Sequence, residues 1–271
     1  MVSIFIRDEL INTAVNLKIV PPHSNIISKA IKQLEQPDAS ITTTTDLLKN
    51  DLGVSSKLIS IANSPYYRVG MPVNNIERAV MMIGQTELKN ILFCLLYISE
   101  ITNYLKFKKK ALFYMLKHSV FVAHAARILS KRLLIEDPED VFAASLLHDI
   151  GKIVFFMNFD HYDEAINESL EKDIPLPAME MERFGIDHQE LGKIIALKWK
   201  LPPMLLSIIE NHHNDRDSDN AEYQGIKKIL RCADRCFYNR DEEICPEAII
   251  LKKEFYGIDK EIDDLIQIIN I

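Results

Sequence analysis

Apolar residues recur at three- and four-residue steps along most of this 271-residue chain, and this spacing constrains its fold more than any other feature. Such spacing collects apolar side chains on one face of a helix, and no segment alternates convincingly as a strand would. Only 8 residues are glycine, fewer than the turns of a sheet-rich protein of this size usually need. The sequence therefore predicts an all-α fold.

Capping residues and prolines indicate where the helices begin and end. In the first part of the chain we expect helices over residues 21–34, 44–50, 55–63 and 85–101, with a further one capped by Asn74. In the second part we expect them over 111–134, 137–157, 161–171, 178–183, 188–200, 203–213, 222–239, 246–255 and 259–269. A basic run, Lys106 to Lys110, separates the two parts, either as a solvated connection or as a binding patch. It predicts two lobes, residues 1–108 and 109–271.

Charge and apolar runs limit the classes of function. A net charge of -7 argues against wrapping nucleic acid or resting on an anionic membrane. The longest apolar run, Ile91 to Ile98, is far shorter than the roughly 18 residues that a membrane span needs. The first ten residues include Arg7, Asp8 and Glu9, which is not typical of a signal peptide. We therefore expect a cytoplasmic protein.

Five of the 8 histidines and two aspartates lie where they could line one pocket in the second lobe: His118, His148, Asp149, His188, His212, His213 and Asp234. His118 and His212 each share a helix face with apolar residues, so both should point inward. His213 could be a ligand or a surface residue. Asp234 lies on an apolar stripe, where a carboxylate needs a partner.

Imidazole and carboxylate groups together suit a divalent transition metal such as iron, manganese or zinc. The same groups can also satisfy one another by hydrogen bonds, and a single inward histidine is usually a hydrogen-bonded core residue. Lys152 shares a helix face with His148 and could bind a phosphate oxygen. Gly192, one turn after His188, would allow another backbone to approach closely.

The pattern of His118, His148-Asp149 and Asp234 resembles that of the HD superfamily of metal-dependent phosphohydrolases. His188 and His212-His213 resemble the additional histidines of its HD-GYP branch, which cleaves cyclic di-GMP. The resemblance implies that these residues bind a divalent metal. For an active enzyme it implies metal-assisted attack of water on phosphorus, with Asp149 and Lys152 as the catalytic residues.

The chain resembles the related HDOD family more closely, over residues 19–237. The motifs that carry this resemblance are Pro21-Pro22, Ala62-Asn63-Ser64-Pro65-Tyr66-Tyr67, Ile76 to Gly84, His118-Ser119, Leu146 to Lys152, Glu182, Phe184-Gly185, Asp187-His188, Gly192, Trp199, Leu201-Pro202 and His212-His213. The resemblance implies a second lobe built as an HD-type helical bundle. Asn63-Ser64-Pro65 could also simply end a helix.

Two departures bear on function. Asp51-Leu52 replaces the usual Asp-Pro of HDOD chains, and residues 214–218 contain no Gly-Tyr-Pro loop of the HD-GYP type. The family resemblance implies a regulatory signal-transduction module that binds signalling proteins or a small nucleotide-type ligand, and a homodimer is compatible with the sequence. The alternative is a metal-dependent phosphohydrolase or phosphodiesterase acting on a nucleotide or cyclic dinucleotide. The retained ligands favour the alternative, whereas the missing loop favours the regulatory module.

Overall fold

The computed structural model describes residues 2–17, 22–63, 67, 72–105, 108–199, 201–213 and 223–238. Every regular element within these ranges is a helix, so the all-α prediction is confirmed for the described residues. The helices expected over 246–255 and 259–269, the motif residues 64–66 and the segment 214–218 lie outside the described residues.

The helices are, in chain order, α1 (Val2–Asn16), α2 (Pro22–Leu34), α3 (Ile41–Leu48), α4 (Leu52–Ala62), α5 (Ile76–Ile83), α6 (Gln85–Leu105), α7 (Lys109–Leu133), α8 (Pro138–Leu147), α9 (Lys152–Asn158), α10 (Tyr162–Glu171), α11 (Leu176–Phe184), α12 (His188–Lys198), α13 (Pro203–Asn211) and α14 (Gln224–Tyr238). They form two compact units. The described part of one unit is residues 22–100, and that of the other is residues 2–17 and 101–238. We call the second the HD unit, after its adjacent residues His148 and Asp149.

In the unit of residues 22–100, α4 packs against α5, and α2 packs against α3. Asp51 caps α4 by accepting a hydrogen bond from the Val54 amide, and Asn75, rather than the expected Asn74, caps α5. Asn63 ends α4 in a right-handed conformation, and its side-chain amide exchanges hydrogen bonds of 2.7 and 2.8 Å with the backbone of Val73. Asn63 therefore ends the helix and also ties down the chain that precedes α5.

The HD unit is built around the long helix α7, which packs against α8 and α14, while α12 packs against α13. The N-terminal helix α1 also belongs to this unit, because it packs on α9, α11 and α12. Leu10, Ala14 and Leu17 are buried, and Arg7 forms an ion pair of 3.0 Å with Glu190. This division differs from the sequence-based one, which placed all of residues 1–108 in the first lobe.

A break at His148 corrects the single helix expected over residues 137–157. Helix α8 ends at Leu147, and α9 begins at Lys152. Between them the backbone forms tighter three-residue hydrogen bonds, from the Ile150 amide to Leu147 and from the Lys152 amide to Asp149. The side chains of both His148 and Asp149 nevertheless reach the same site, where Nε2 of His148 lies 3.2 Å from Asp149 Oδ2.

Among the described residues, no single helix is both long and apolar enough to cross a membrane. Helix α5 and the Gln85–Tyr97 part of α6 meet that criterion only as a pair, and they are bent by 103° relative to each other.

Candidate metal centre

The HD unit brings together all seven residues that the sequence analysis singled out as ligands. His118 comes from α7, His148 and Asp149 from the turn after α8, His188 from the start of α12, His212 and His213 from the residues after α13, and Asp234 from α14. Five of them are almost fully buried, whereas His213 and Asp234 are partly exposed. Of the remaining histidines, His124 lies apart from this site and packs its ring edge-on against Phe142.

Asp149 lies at the middle of the group, and its two carboxylate oxygens face different neighbours. The Oδ1 atom lies 3.4 Å from Nε2 of His188 and 3.5 Å from Nε2 of His212, and these two nitrogens are 3.3 Å apart. We call these three atoms the Oδ1 face. The ring of His213 packs against the rings of both histidines.

The Oδ2 atom of Asp149 faces a second group of side chains. Lys152 donates a hydrogen bond of 2.5 Å to it, and Nε2 of His118 and His148 lie 2.9 and 3.2 Å from it. Asp234 contacts the same histidines, with its Oδ1 atom 3.3 Å from Nε2 of His118 and 3.9 Å from Nε2 of His148. We call this group the Oδ2 face.

Hydrogen bonds on the outer side of three histidines determine which ring nitrogen carries the proton. Nδ1 lies 2.7 Å from the Ser145 carbonyl in His148, 3.1 Å from the Ile209 carbonyl in His212, and 2.7 Å from Oε2 of Glu180 in His188. These oxygens accept, so each Nδ1 donates, and in neutral His188 and His212 the Nε2 lone pair points towards Asp149.

The two faces of Asp149 therefore differ in their need for a cation. The Oδ2 face has the Lys152 ammonium group as a donor. The Oδ1 face joins a carboxylate oxygen to two nitrogens with inward lone pairs, and Asp149 Oδ1 has no hydrogen-bond donor despite its burial. Such a set of acceptors repels itself unless a cation or protons lie between them.

The residues on the Oδ1 face fit a divalent transition metal. Their three ligand atoms form a triangle with edges of 3.3–3.5 Å. Neighbouring ligands of a tetrahedral ion bound at about 2.0–2.1 Å are about 3.3–3.4 Å apart. His213 lies in the same group of possible ligands, and His118, His148 and Asp149 form a second such group on the Oδ2 face.

Burial and charge set the protonation of the site. Burial opposes ionisation of Asp149, but His148 and Lys152 outweigh it and hold the pKa of its carboxyl well below the usual range. Burial lowers the pKa of Lys152, yet the carboxylate of Asp149 more than compensates and the net shift is upward. Burial lowers the pKa of His212 to about 4. At neutral pH the carboxylate and the ammonium are therefore charged, and His212 is available as a neutral ligand.

Sequence reasoning missed Glu180, although it is fully buried beside the site. Its Oε2 atom accepts hydrogen bonds from the backbone amide and Nδ1 of His188, and its Oε1 atom accepts one from the hydroxyl of Tyr162. A carboxylate that holds a metal-binding histidine in this way fixes its tautomer and orientation. Its position one turn after Leu176 and one turn before Phe184, on the apolar face of α11, could have indicated an inward carboxylate.

Two glycines bring α12 close enough for His188 to reach Asp149. A Cβ atom on Gly151 would lie 1.9 Å from the His188 carbonyl oxygen and 2.6 Å from the Gly192 amide. The sequence analysis expected close backbone approach at Gly192, and the structure shows it. The absence of a side chain at Gly151 is therefore a requirement of the site.

A cavity of about 510 Å³ opens onto this centre from the side of α10, α11 and α14. Its lining includes three residues of the site, Lys152, His213 and Asp234, together with Arg235 and Tyr238 of α14. The cavity is large enough for a small ligand to approach the candidate metal ligands, and its charged lining residues comprise two cations, Lys152 and Arg235, and two carboxylates, Asp173 and Asp234.

Solved structures with the same fold come from bacteria. An HDOD domain protein of unknown function from Geobacter sulfurreducens superposes with a TM-score of 0.75 and 23% identity, covering 94% of this chain and 97% of that one. A proposed phosphohydrolase from Shewanella amazonensis superposes with a TM-score of 0.70 and 18% identity, covering 94% and 98% of the two chains. At these identities the similarity establishes the fold alone.

Among proteins related in sequence, an uncharacterised protein of Treponema pallidum is 23% identical over 184 residues, which is 68% of this chain and 35% of its own length. Ribonuclease Y of Bacillus pumilus is 31% identical over 118 residues, which is 44% of this chain and 18% of its own. The chain thus spans about a third or less of the length of these relatives. The model of the HDOD domain matches residues 20–215, which include every candidate ligand except Asp234. The chain therefore belongs to the HDOD domain family.

Proposed function

We propose that this protein is a regulatory signal-transduction module of the HDOD type that holds a divalent transition metal in its HD unit and acts by binding a protein or a small ligand. The observation that carries the metal site is the Oδ1 face, where Asp149 Oδ1 lies within 3.5 Å of two imidazole nitrogens and has no donor. Iron, manganese and zinc all suit a site of imidazole and carboxylate groups.

In this proposal Asp149, His188 and His212 hold the ion, and His213 is placed to join them. Glu180 orients His188, and Lys152 compensates the charge of Asp149 from the other side. A bound ion would supply Lewis-acid polarisation to a ligand oxygen that enters from the cavity of about 510 Å³.

The Oδ2 face supports a binding role over hydrolysis by a pair of ions. Two-metal hydrolases place their ions about 3.5–4 Å apart and stabilise both the attacking and the leaving oxygen. Here the ammonium group of Lys152 lies 2.5 Å from Asp149 Oδ2, on the side where a second ion would share that carboxylate. A second ion would have to displace this buried lysine, so we expect one ion to bind far more tightly than a second.

The alternative function is hydrolysis of a phosphodiester. It is supported by the cavity, whose Lys152 and Arg235 suit phosphate oxygens, and by the relationship to Ribonuclease Y over 118 residues. On this reading the substrate would be a cyclic dinucleotide, another nucleotide or RNA, and Asp149 and Lys152 would be the catalytic residues.

An activity screen of metal-loaded protein separates the two functions. The purified chain, refilled with iron, manganese or zinc, is incubated with bis-p-nitrophenyl phosphate, cyclic dinucleotides and an RNA oligonucleotide, with an Asp149→Ala variant as control. We expect bound metal without any turnover that the variant abolishes. Turnover of any of these substrates that is lost in Asp149→Ala would establish the phosphodiesterase instead.

A further inference from the structure

A second cavity in the HD unit, of about 590 Å³, lies between α7, α9, α10 and α14. We call it the aromatic cavity, because its walls include the rings of Phe113, Tyr114, Phe156, Phe159 and Phe237. Tyr114 lines this cavity, Tyr238 lines the cavity that opens onto the metal centre, and their hydroxyl groups lie 2.6 Å apart. The two cavities are therefore neighbours that meet at a hydrogen-bonded tyrosine pair.

Two rings that line the aromatic cavity pack against His118, a residue of the candidate metal centre. The ring of Tyr114 stacks on that of His118 at an interplanar angle of 7°, and Phe237 packs edge-on against the same imidazole with a centroid distance of 4.8 Å. Because packing already fixes these two rings, they lose little side-chain entropy when a ligand binds. The volume of the aromatic cavity falls in the range typical of small-molecule sites, about 300–1,000 Å³.

Three lysines line the aromatic cavity, and two of them are already paired. Lys108 lies 2.9 Å from Asp160, and Lys110 lies 3.4 Å from Asp163. Lys117, which is half-buried in the middle of α7, has no ion pair with any residue that the structure describes. The lining groups therefore carry one uncompensated positive charge.

We propose that the aromatic cavity binds a small monoanion with a flat, apolar body, of the class of aromatic or fused-ring carboxylates and sulfonates. Flat apolar surface stacks on the phenylalanine and tyrosine rings, and the single acidic group is neutralised by Lys117. This ligand would be distinct from the metal and from any ligand of the metal centre.

The test uses two dyes that share an aromatic body and differ in charge. Anilinonaphthalene sulfonate carries one negative charge, and phenylnaphthylamine carries none. Their binding to the full chain is titrated by fluorescence for the wild type, for Lys117→Gln, and for Lys131→Gln, which removes an exposed lysine near the end of the same helix. An Ala111→Trp variant fills the cavity without changing its charge. Thermal melts establish that each variant is folded.

We expect the wild type to bind one equivalent of each dye. Lys117→Gln should weaken binding of the sulfonate by at least about fivefold and leave the neutral dye unchanged, because only the charge-assisted contact is lost. Lys131→Gln should leave the binding of both dyes unchanged. Ala111→Trp should weaken the binding of both dyes. Equal sulfonate affinities in Lys117→Gln and Lys131→Gln, or unaltered dye binding by folded Ala111→Trp, would overturn the proposal. Metal content, measured on the same samples, reports separately on the proposed metal site.

Discussion

Glu180 is fully buried and accepts three hydrogen bonds, one from Tyr162 and two from His188. At the scale of the single residue, the centre therefore depends on side chains that hold the ligands as well as on the ligands themselves. His148 and His212 are held by backbone carbonyls, which no substitution removes, whereas His188 is held by a side chain.

Replacing Glu180 by alanine should weaken metal binding by about 10–100-fold, because His188 loses the acceptor that fixes its tautomer and orientation. The affinity is measured by competition with a chromophoric chelator. Glu182→Ala removes the same charge from an exposed position on the same helix and serves as the control. Equal affinities in the two variants would show that Glu180 does not position His188.

Sequence reasoning singled out the candidate ligands because each of them is a polar residue at an inward position of a helix or at a helix end. It weighed His118, His148, Asp149 and Asp234 as the first ligands and treated His188, His212 and His213 as additions. The structure instead favours His188 and His212 as ligands beside Asp149. The reason is that Lys152 already occupies the side of Asp149 that faces His118. A pairing of this kind depends on distances between helices, which local periodicity does not contain.

At the scale of the element, the turn between α8 and α9 decides the geometry of the centre. The sequence analysis expected one helix there because the residues on both sides, Val141 to Leu147 and Ile153 to Phe156, are almost continuously apolar and buried. A helix buried on all sides shows no periodic stripe, so a break in it leaves little trace in the pattern. Gly151 was the one residue in this segment whose type could have indicated the break between α8 and α9.

Gly151→Ala should destabilise the HD unit by about 3 kcal/mol or more, since the added Cβ atom would overlap the backbone of α12, which cannot give way as a side chain can. The free energy of unfolding is measured by denaturant titration. Gly225→Ala is a matched control in α14, where the three atoms nearest the new Cβ atom all belong to the flexible side chain of Glu136. If Gly151→Ala lowers the free energy of unfolding no more than Gly225→Ala does, the result would contradict the close approach of the turn to α12.

At the scale of the whole molecule, the HD unit extends beyond the segment that the family model matches. Helices α1 and α14 lie outside residues 20–215, yet α1 packs on α12 and α14 contributes Asp234. The sequence analysis placed the candidate ligands in a second lobe of residues 109–271, but it assigned the residues of α1 to the other lobe because it was guided by order along the chain. Packing between segments distant in sequence is a tertiary property that a linear pattern does not reveal.

Leu10→Ala should destabilise the HD unit by about 2–4 kcal/mol, because Leu10 is 1% exposed and its removal leaves a cavity between α1 and its neighbours. Unfolding is followed by the fluorescence of Trp199, the only tryptophan, which lies at the end of α12. Phe5→Ala on the same helix removes a side chain that is 76% exposed and should cost less than about 0.5 kcal/mol. If Leu10→Ala and Phe5→Ala lower the free energy of unfolding by similar amounts, α1 does not belong to the core of the HD unit.

The metal content of four proteins tests the central claim, that the Oδ1 face of Asp149 holds a divalent ion. The wild type and its Asp149→Ala, His188→Ala and His118→Ala variants are purified without chelator and refilled with iron, manganese or zinc. After removal of free ions, bound metal per chain is measured by inductively coupled plasma mass spectrometry, and thermal melts confirm folding. We predict at least one ion per chain in the wild type and in His118→Ala, and none above background in Asp149→Ala or His188→Ala. A wild type without bound metal, or a metal content that falls in His118→Ala and persists in His188→Ala, would contradict the account.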